Sequence, residues 1–122
     1  MNLSIVRALL ALQVASFATA ALIHYGVLLD GYGDLGAARP ESIIGTVLLI
    51  GLALTWTSGP WPRRAAIAAQ VFALLGTLVG TTLVVIGVGP RTPLDVAIHV
   101  VLLTELLAGL AAAIVTARRL RT

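Results

Sequence analysis

The stretch TPLDVAIHVVLLTELLAGL, residues 92–110, is apolar enough for lipid, although Asp95, His99 and Glu105 interrupt it. A helix needs roughly 20 predominantly apolar residues to cross the hydrocarbon core of a bilayer. Extended to residues 93–117, this stretch exceeds that length. It therefore predicts a transmembrane helix, and the three ionisable side chains within it become the main question about function.

The composition of the whole 122-residue chain agrees with a membrane location. Hydrophobic residues make up 59% and charged residues 11%, and the mean hydropathy is +1.05. Soluble domains contain about 25% charged residues on average, and a soluble domain of this size could not bury so much apolar surface. We therefore expect a single integral membrane domain, since the length fits one domain.

Three further segments are long and apolar enough to be spans. The four predicted transmembrane helices cover residues 5–29, 41–57, 64–88 and 93–117, with short turns rich in glycine and proline between them. Short turns favour an antiparallel bundle with up-down-up-down order. The segments LLALQVASFATAAL and AIAAQVFALLGTLV resemble each other, each with one glutamine, which suggests a duplicated helical hairpin.

The arginines predict the orientation of this bundle. Six of them lie at the ends of spans on one side, namely Arg7, Arg63, Arg64, Arg118, Arg119 and Arg121. Under the positive-inside rule that side faces the cytoplasm, so both termini are expected to be cytoplasmic and the protein to lie in the cytoplasmic (inner) membrane. The net charge of +3 follows this topological pattern and gives no indication of nucleic-acid binding.

Several chemical classes lack the residues that they need. The chain contains no cysteine, which excludes disulfides, thiolate metal sites and cysteine nucleophiles. It has no Walker motif, H-E-x-x-H motif or nucleophile elbow. The sequence therefore favours a protein that is not an enzyme, and it predicts no metal site.

Two histidines form the first candidate site. His24 in the first span and His99 in the fourth lie at similar depths on helices that we expect to be neighbours. Two such neutral imidazoles are the axial ligands of a haem b, and Arg39 and Arg91 at the same end could pair with its propionates. This hypothesis predicts a bis-histidine electron-transfer protein.

Asp95 lies in the first turn of the fourth span, directly after Pro93 and Leu94. Free backbone amides and the helix dipole favour a carboxylate at that position. His99 follows four residues later on the same face, so the spacing predicts a contact between these two side chains.

Glu105 is the centre of a second candidate site. It lies near the middle of the fourth span with no basic residue at its depth. We expect it to be protonated and to hydrogen-bond to Gln13, Gln70 or Thr77. Since a carboxyl group inside a membrane commonly marks function, Glu105 and Asp95, with Gln13 and Gln70, predict a proton or ion site in a small carrier or channel.

A third interpretation needs no ligand. Small residues follow one stripe of the third span, which allows close packing within the bundle or in an oligomer. Little of the chain projects into water, so a soluble catalytic site has no room. The sequence favours a non-catalytic accessory or assembly subunit, in a homo-oligomer or with other membrane proteins. The haem protein and the carrier remain the alternatives.

Overall fold

The computed structural model describes residues 3–119, and within that range it consists of four α-helices without strands. They are α1 (Ser4–His24), α2 (Leu35–Leu54), α3 (Trp61–Val85) and α4 (Pro93–Arg119). All four are long and apolar enough to span a membrane, which confirms the predicted all-helical class with four membrane-length helices. Arg121, one of the arginines behind the predicted orientation, lies outside the described residues.

α1 ends earlier than the expected residue 29. Gly26 adopts a φ of +79°, a left-handed conformation that glycine reaches without a steric penalty. The amide of Val27 then donates to the carbonyl oxygen of Leu22 at 3.0 Å, the bond that closes a Schellman motif at a helix end. The helix thus stops although the hydrophobic residues continue to residue 29. Hydropathy alone does not show where α1 ends.

α2 begins six residues before the expected residue 41. The side chain of Asp34 caps it by accepting a hydrogen bond from the amide of Gly36 at 3.0 Å, a common arrangement at helix starts. Pro40, which directly precedes the expected start, lies in the second turn of the helix. Glu41 is consequently part of the helix body.

Consecutive helices pack against each other, and α4 packs against α1 to close the ring. The buried face of α2 recurs every three or four residues at Ala38, Glu41, Ile44, Leu48 and Gly51. A Cβ on Gly51 would lie only 2.5 Å from the Cβ of Ala69 in α3. Such glycine-mediated approach is typical of helices that pack in lipid.

The two ends of the bundle differ in chemistry. At the end called here the arginine end, the Arg7 guanidinium lies over the Trp56 ring and donates to both the hydroxyl and the carbonyl oxygen of Thr55. At the opposite end, the histidine end, His24, Glu41 and Asp95 meet. Between the two ends, large apolar side chains such as Ile50 and Leu75 are exposed. This surface is compatible with a small membrane protein.

Candidate functional site

His24 bridges two carboxylates at the histidine end. It is the last residue of α1, and its side chain is only 1% exposed. Its Nδ1 lies 2.9 and 2.8 Å from the two carboxylate oxygens of Glu41 in α2. Its Nε2 lies 3.0 Å from Oδ1 of Asp95 in α4. One imidazole thus connects three of the four helices.

These contacts set the number of protons that the three groups share. An ionised carboxylate is only an acceptor, so each of the two bridges needs its own proton. The two bridges therefore need at least two protons. With two, either both nitrogens of His24 carry a proton, or His24 is neutral and one carboxyl group is protonated. In both forms Glu41, His24 and Asp95 together carry one net negative charge.

Asp95 is held firmly by the turn that precedes α4. Its Oδ2 accepts hydrogen bonds from the amide of Thr92 at 2.9 Å and from its hydroxyl at 2.7 Å. The amide of Asp95 in turn donates to the Thr92 hydroxyl at 3.2 Å, a reciprocal arrangement like a capping box. These hydrogen bonds within the protein therefore orient the carboxylate towards His24 without the help of a ligand.

His99 does not meet the side chain of Asp95, which corrects the expected contact between them. Its Nδ1 lies 2.7 Å from the main-chain carbonyl oxygen of Asp95. A carbonyl oxygen only accepts, so Nδ1 must carry the proton, and the Nε2 of a neutral ring keeps a free lone pair. Nε2 faces Gly80 of α3, where a Cβ would lie 3.4 Å away. Within residues 3–119, no hydrogen bond to Nε2 is present.

All four helices contribute to a cavity of about 240 Å³ beside this cluster. Its polar wall holds His24, Glu41, Asp95 and His99, together with Asp34 at the start of α2. The rest of the lining is mainly apolar and glycine-rich. It includes Phe17, Pro40, Ile44, Gly76, Val79, Gly80, Leu83, Val84 and Leu102. The cavity therefore combines charged and apolar side chains in its lining.

Glu41 is the site residue that the sequence analysis missed. The expected second span, residues 41–57, placed Glu41 at its very edge, but its side chain is buried, with only 7% exposure of the residue. The Asp34 cap was the available signal. Extending the helix back to Asp34 places Glu41 three residues before Ile44, on the buried face of α2.

The predicted bis-histidine haem site does not fit this geometry. An axial ligand must offer a nitrogen lone pair to the iron, whereas both nitrogens of His24 are engaged by carboxylates. Arg39 and Arg91, the expected propionate partners, are exposed. Within residues 3–119, no group of three or more histidine, aspartate or glutamate side chains is arranged to hold a metal ion.

Glu105 belongs to a separate polar layer deeper in the bundle. Its Oε1 accepts a hydrogen bond from the Ser16 hydroxyl at 2.8 Å, and its Oε2 is buried without a partner. The amide of Gln13 donates to the main-chain carbonyl oxygen of Glu105 at 3.0 Å and to Oε1 of Gln70 at 2.8 Å. The expected partners of the Glu105 side chain, Gln13, Gln70 and Thr77, are therefore replaced by Ser16.

The structure thus divides the predicted proton site into two parts. Asp95 lines the cavity, whereas Gln13, Gln70 and Glu105 do not. Phe17 and Leu102, which also line the cavity, are buried apolar side chains. They lie along α1 and α4 between the two polar regions.

Comparisons with protein-family models, with curated proteins and with solved structures find no match for this chain. Its function must therefore be argued from the cavity and the side chains around it.

Proposed function

We propose that this chain is a small integral membrane protein of the proton-coupled carrier class. The observation that carries the proposal is the bridge of His24 between Glu41 and Asp95 in the wall of a cavity. A carboxylate pair held by a single imidazole gives the membrane region a titratable centre. The neighbouring cavity gives a ligand room beside it.

The charge of the cluster supports proton uptake. The three bridged groups carry one net negative charge, and uncompensated charge is costly in a buried environment. Five titratable groups line the cavity, and α3 contributes none of them. They are His24 from α1, the capping residue Asp34, Glu41 from α2, and Asp95 and His99 from α4. A proton on Nε2 of His99 adds one positive charge and offsets the negative charge of the bridged groups.

Proton binding and ligand binding are coupled through this shared charge. A ligand that changes the affinity of His99 for a proton must, by linkage, have its own affinity changed by the proton in the same proportion. This reciprocity is the thermodynamic basis for driving a solute with a pH gradient. In this proposal the proton site is the cluster at the cavity, and Glu105 is not part of it.

The proposal includes an orientation. We infer an up-down-up-down bundle in the cytoplasmic membrane, with both termini inside and the histidine end outside. The arginine bias supports this orientation. The pairing of Gln13 with Gln70, the two glutamines of the similar segments, supports a duplicated hairpin whose halves face each other.

The test is the protonation state of the histidines in lipid nanodiscs, followed by ¹⁵N NMR through a pH titration. His99 should be a neutral ring protonated at Nδ1 at mildly alkaline pH and should become imidazolium as the pH falls. In liposomes, an imposed pH gradient should then drive accumulation of a solute, and His99→Gln should stop it. A His99 ring that never gains a proton would overturn the proposal.

An accessory role is the second candidate, and one observation favours it. A groove between α1 and α4 is lined by small or hydroxyl-bearing residues, mainly on α1, and by larger aliphatic side chains, mainly on α4; the small or hydroxyl-bearing ones are Ala15, Ser16, Thr19, Ala20 and Ala97. Such residues let another transmembrane helix approach closely. The groove runs beside Ser16, the partner of Glu105, so a second copy of this chain would bring two such pairs together. Native mass spectrometry tests it: Ala97→Leu should abolish a dimer that the unmodified chain forms.

A further inference from the structure

Resting on the proposed function, we propose a substrate class for the cavity: a small monovalent organic cation with an apolar substituent, such as an aryl or alkyl ammonium. Its ammonium group binds at Glu41 and His99, and its apolar part lies between α2 and α3. Charge, hydrogen bonding and shape each lead to this class.

The charge of the wall selects a cation. Glu41, His24 and Asp95 share one net negative charge when they hold the two protons that their two bridges require. The arginines at this end, Arg39 and Arg91, are exposed and do not line the cavity. Asp34 in the same wall adds further negative character. A monovalent cation offsets the negative charge of the bridged groups, whereas an anion would add to it.

The hydrogen-bonding groups that face the cavity are acceptors. Nε2 of neutral His99 carries a free lone pair. The carboxylate of Glu41 can accept further hydrogen bonds in addition to its bridge to His24. Thr77 also lines the cavity, but its hydroxyl proton is donated to the carbonyl oxygen of Ala73 at 2.7 Å. An ammonium group offers only donors, so it complements this wall. A carboxylate or phosphate ligand needs donors and would meet only acceptors here.

The apolar part of the ligand follows from the apolar lining residues of the cavity. Val79 and Leu83 of α3 line the cavity and are also exposed on the outside of the bundle, at 62% and 42%. The cavity therefore reaches the apolar surface beside α3. Gly80 keeps the space in front of His99 clear, since a Cβ there would already lie 3.4 Å from Nε2. At about 240 Å³ the cavity is smaller than the 300–1,000 Å³ typical of drug-sized ligands, which limits the substituent to a small one.

The ligand and the proton compete. A proton on His99 neutralises the cluster and converts its free lone pair into a donor, so the ammonium group loses an acceptor and its electrostatic attraction at once. Cation binding at mildly acidic pH should therefore displace a proton. Exchange of one cation for one proton follows from this competition.

The experiment compares three probes of one shape: benzylammonium, benzyl alcohol and benzoate. Calorimetry on the full chain in nanodiscs, repeated in buffers of different ionisation enthalpy, measures affinity and proton release together. Benzylammonium should bind, more weakly at acidic pH and with release of a proton, while the other two should show no saturable binding. Equal binding of benzyl alcohol would overturn the proposal, because the cavity would then recognise only the ring.

Two variants alter the cavity in different ways. Glu41→Gln removes the charge with little change in size and should weaken benzylammonium binding roughly tenfold or more. Gly80→Val should block binding by filling the space before His99. Asp30→Asn is the matched control, since it removes a carboxylate at the same end without lining the cavity. Circular dichroism and gel filtration check that each variant folds.

The outcomes separate this proposal from the function on which it rests. If His99 titrates in the NMR experiment but benzylammonium does not bind, the substrate class is wrong and the proton-coupled function stands. If His99 does not titrate, the proton-coupled function is wrong regardless of the calorimetry. Binding that Glu41→Gln leaves unchanged would place the cation elsewhere and overturn the proposed site.

Discussion

Gln13 of α1 donates a hydrogen bond to Gln70 of α3 through Nε2 and Oε1, 2.8 Å apart, and both side chains are completely buried. Gln70 uses its own amide to donate to the carbonyl oxygen of Ala66 at 3.0 Å. Buried amides without partners are costly, so this pair fixes the relative position of two helices that are not adjacent in the ring.

Gly109 of α4 provides the space for that pair. A Cβ at this position would overlap Oε1 of Gln70 and Nε2 of Gln13. Gly109→Ala should therefore destabilise the bundle by about 1–3 kcal/mol, the usual cost of overpacking a core. Thermal unfolding in detergent, followed by circular dichroism, measures the effect. Gly33→Ala, at a loop position where a Cβ meets nothing within 4 Å, is the control, and equal stability of the two variants would contradict the account.

His24 should be the most sensitive position at the histidine end. His24→Ala leaves Glu41 and Asp95 buried without their shared partner, and removal of one member of a buried ion pair commonly costs about 3–5 kcal/mol. The loss should be smaller at acidic pH, because protonation removes the charge of the stranded carboxylates. Unfolding curves at acidic and alkaline pH measure both effects. If the loss of stability were the same at acidic and alkaline pH, His24 would stabilise the bundle through packing and not through charge.

The four helices could be predicted from the sequence because hydropathy and length depend only on local composition. Their ends could not be predicted equally well. The start of α4 at Pro93 was expected, since proline favours the first turn. The end of α1 was missed because apolar residues continue beyond Gly26, and the start of α2 was missed because its cap, Asp34, lies in a polar segment that looks like a turn.

The partners in the site depend on features that composition does not contain. His24, Asp95, His99 and Glu105 were all identified as candidates, yet their predicted contacts were different from those observed. Asp95 bonds to His24 and not to the His99 side chain. Such contacts depend on the rotation and axial shift of each helix relative to its neighbours, which a single sequence with few polar residues leaves undetermined.

The predicted orientation can be measured directly because the chain has no native cysteine. Single-cysteine variants at Gly33, at the histidine end, and at Ser58, at the arginine end, each carry one thiol. We expect a membrane-impermeant maleimide added to intact cells to label the first and spare the second. Labelling of both after permeabilisation is the control, and the opposite pattern in intact cells would invert the orientation.

Glu105 provides a test of whether the deeper polar layer has a function beyond packing. Its Oε1 accepts from Ser16 at 2.8 Å, so Glu105→Gln keeps an acceptor of the same size at that position, while Glu105→Leu removes it. Leucine should therefore cost about 0.6–2 kcal/mol, the range of interhelical hydrogen bonds in membranes, and glutamine should cost less. Since Glu105 does not line the cavity, neither variant should change the binding of benzylammonium as long as it folds. The measurements are unfolding in detergent and the calorimetry described for the cavity.

If Glu105→Gln instead stopped pH-driven solute accumulation while leaving folding and cation binding intact, the deeper layer would be part of the proton path, because an amide cannot exchange a proton as a carboxyl group does.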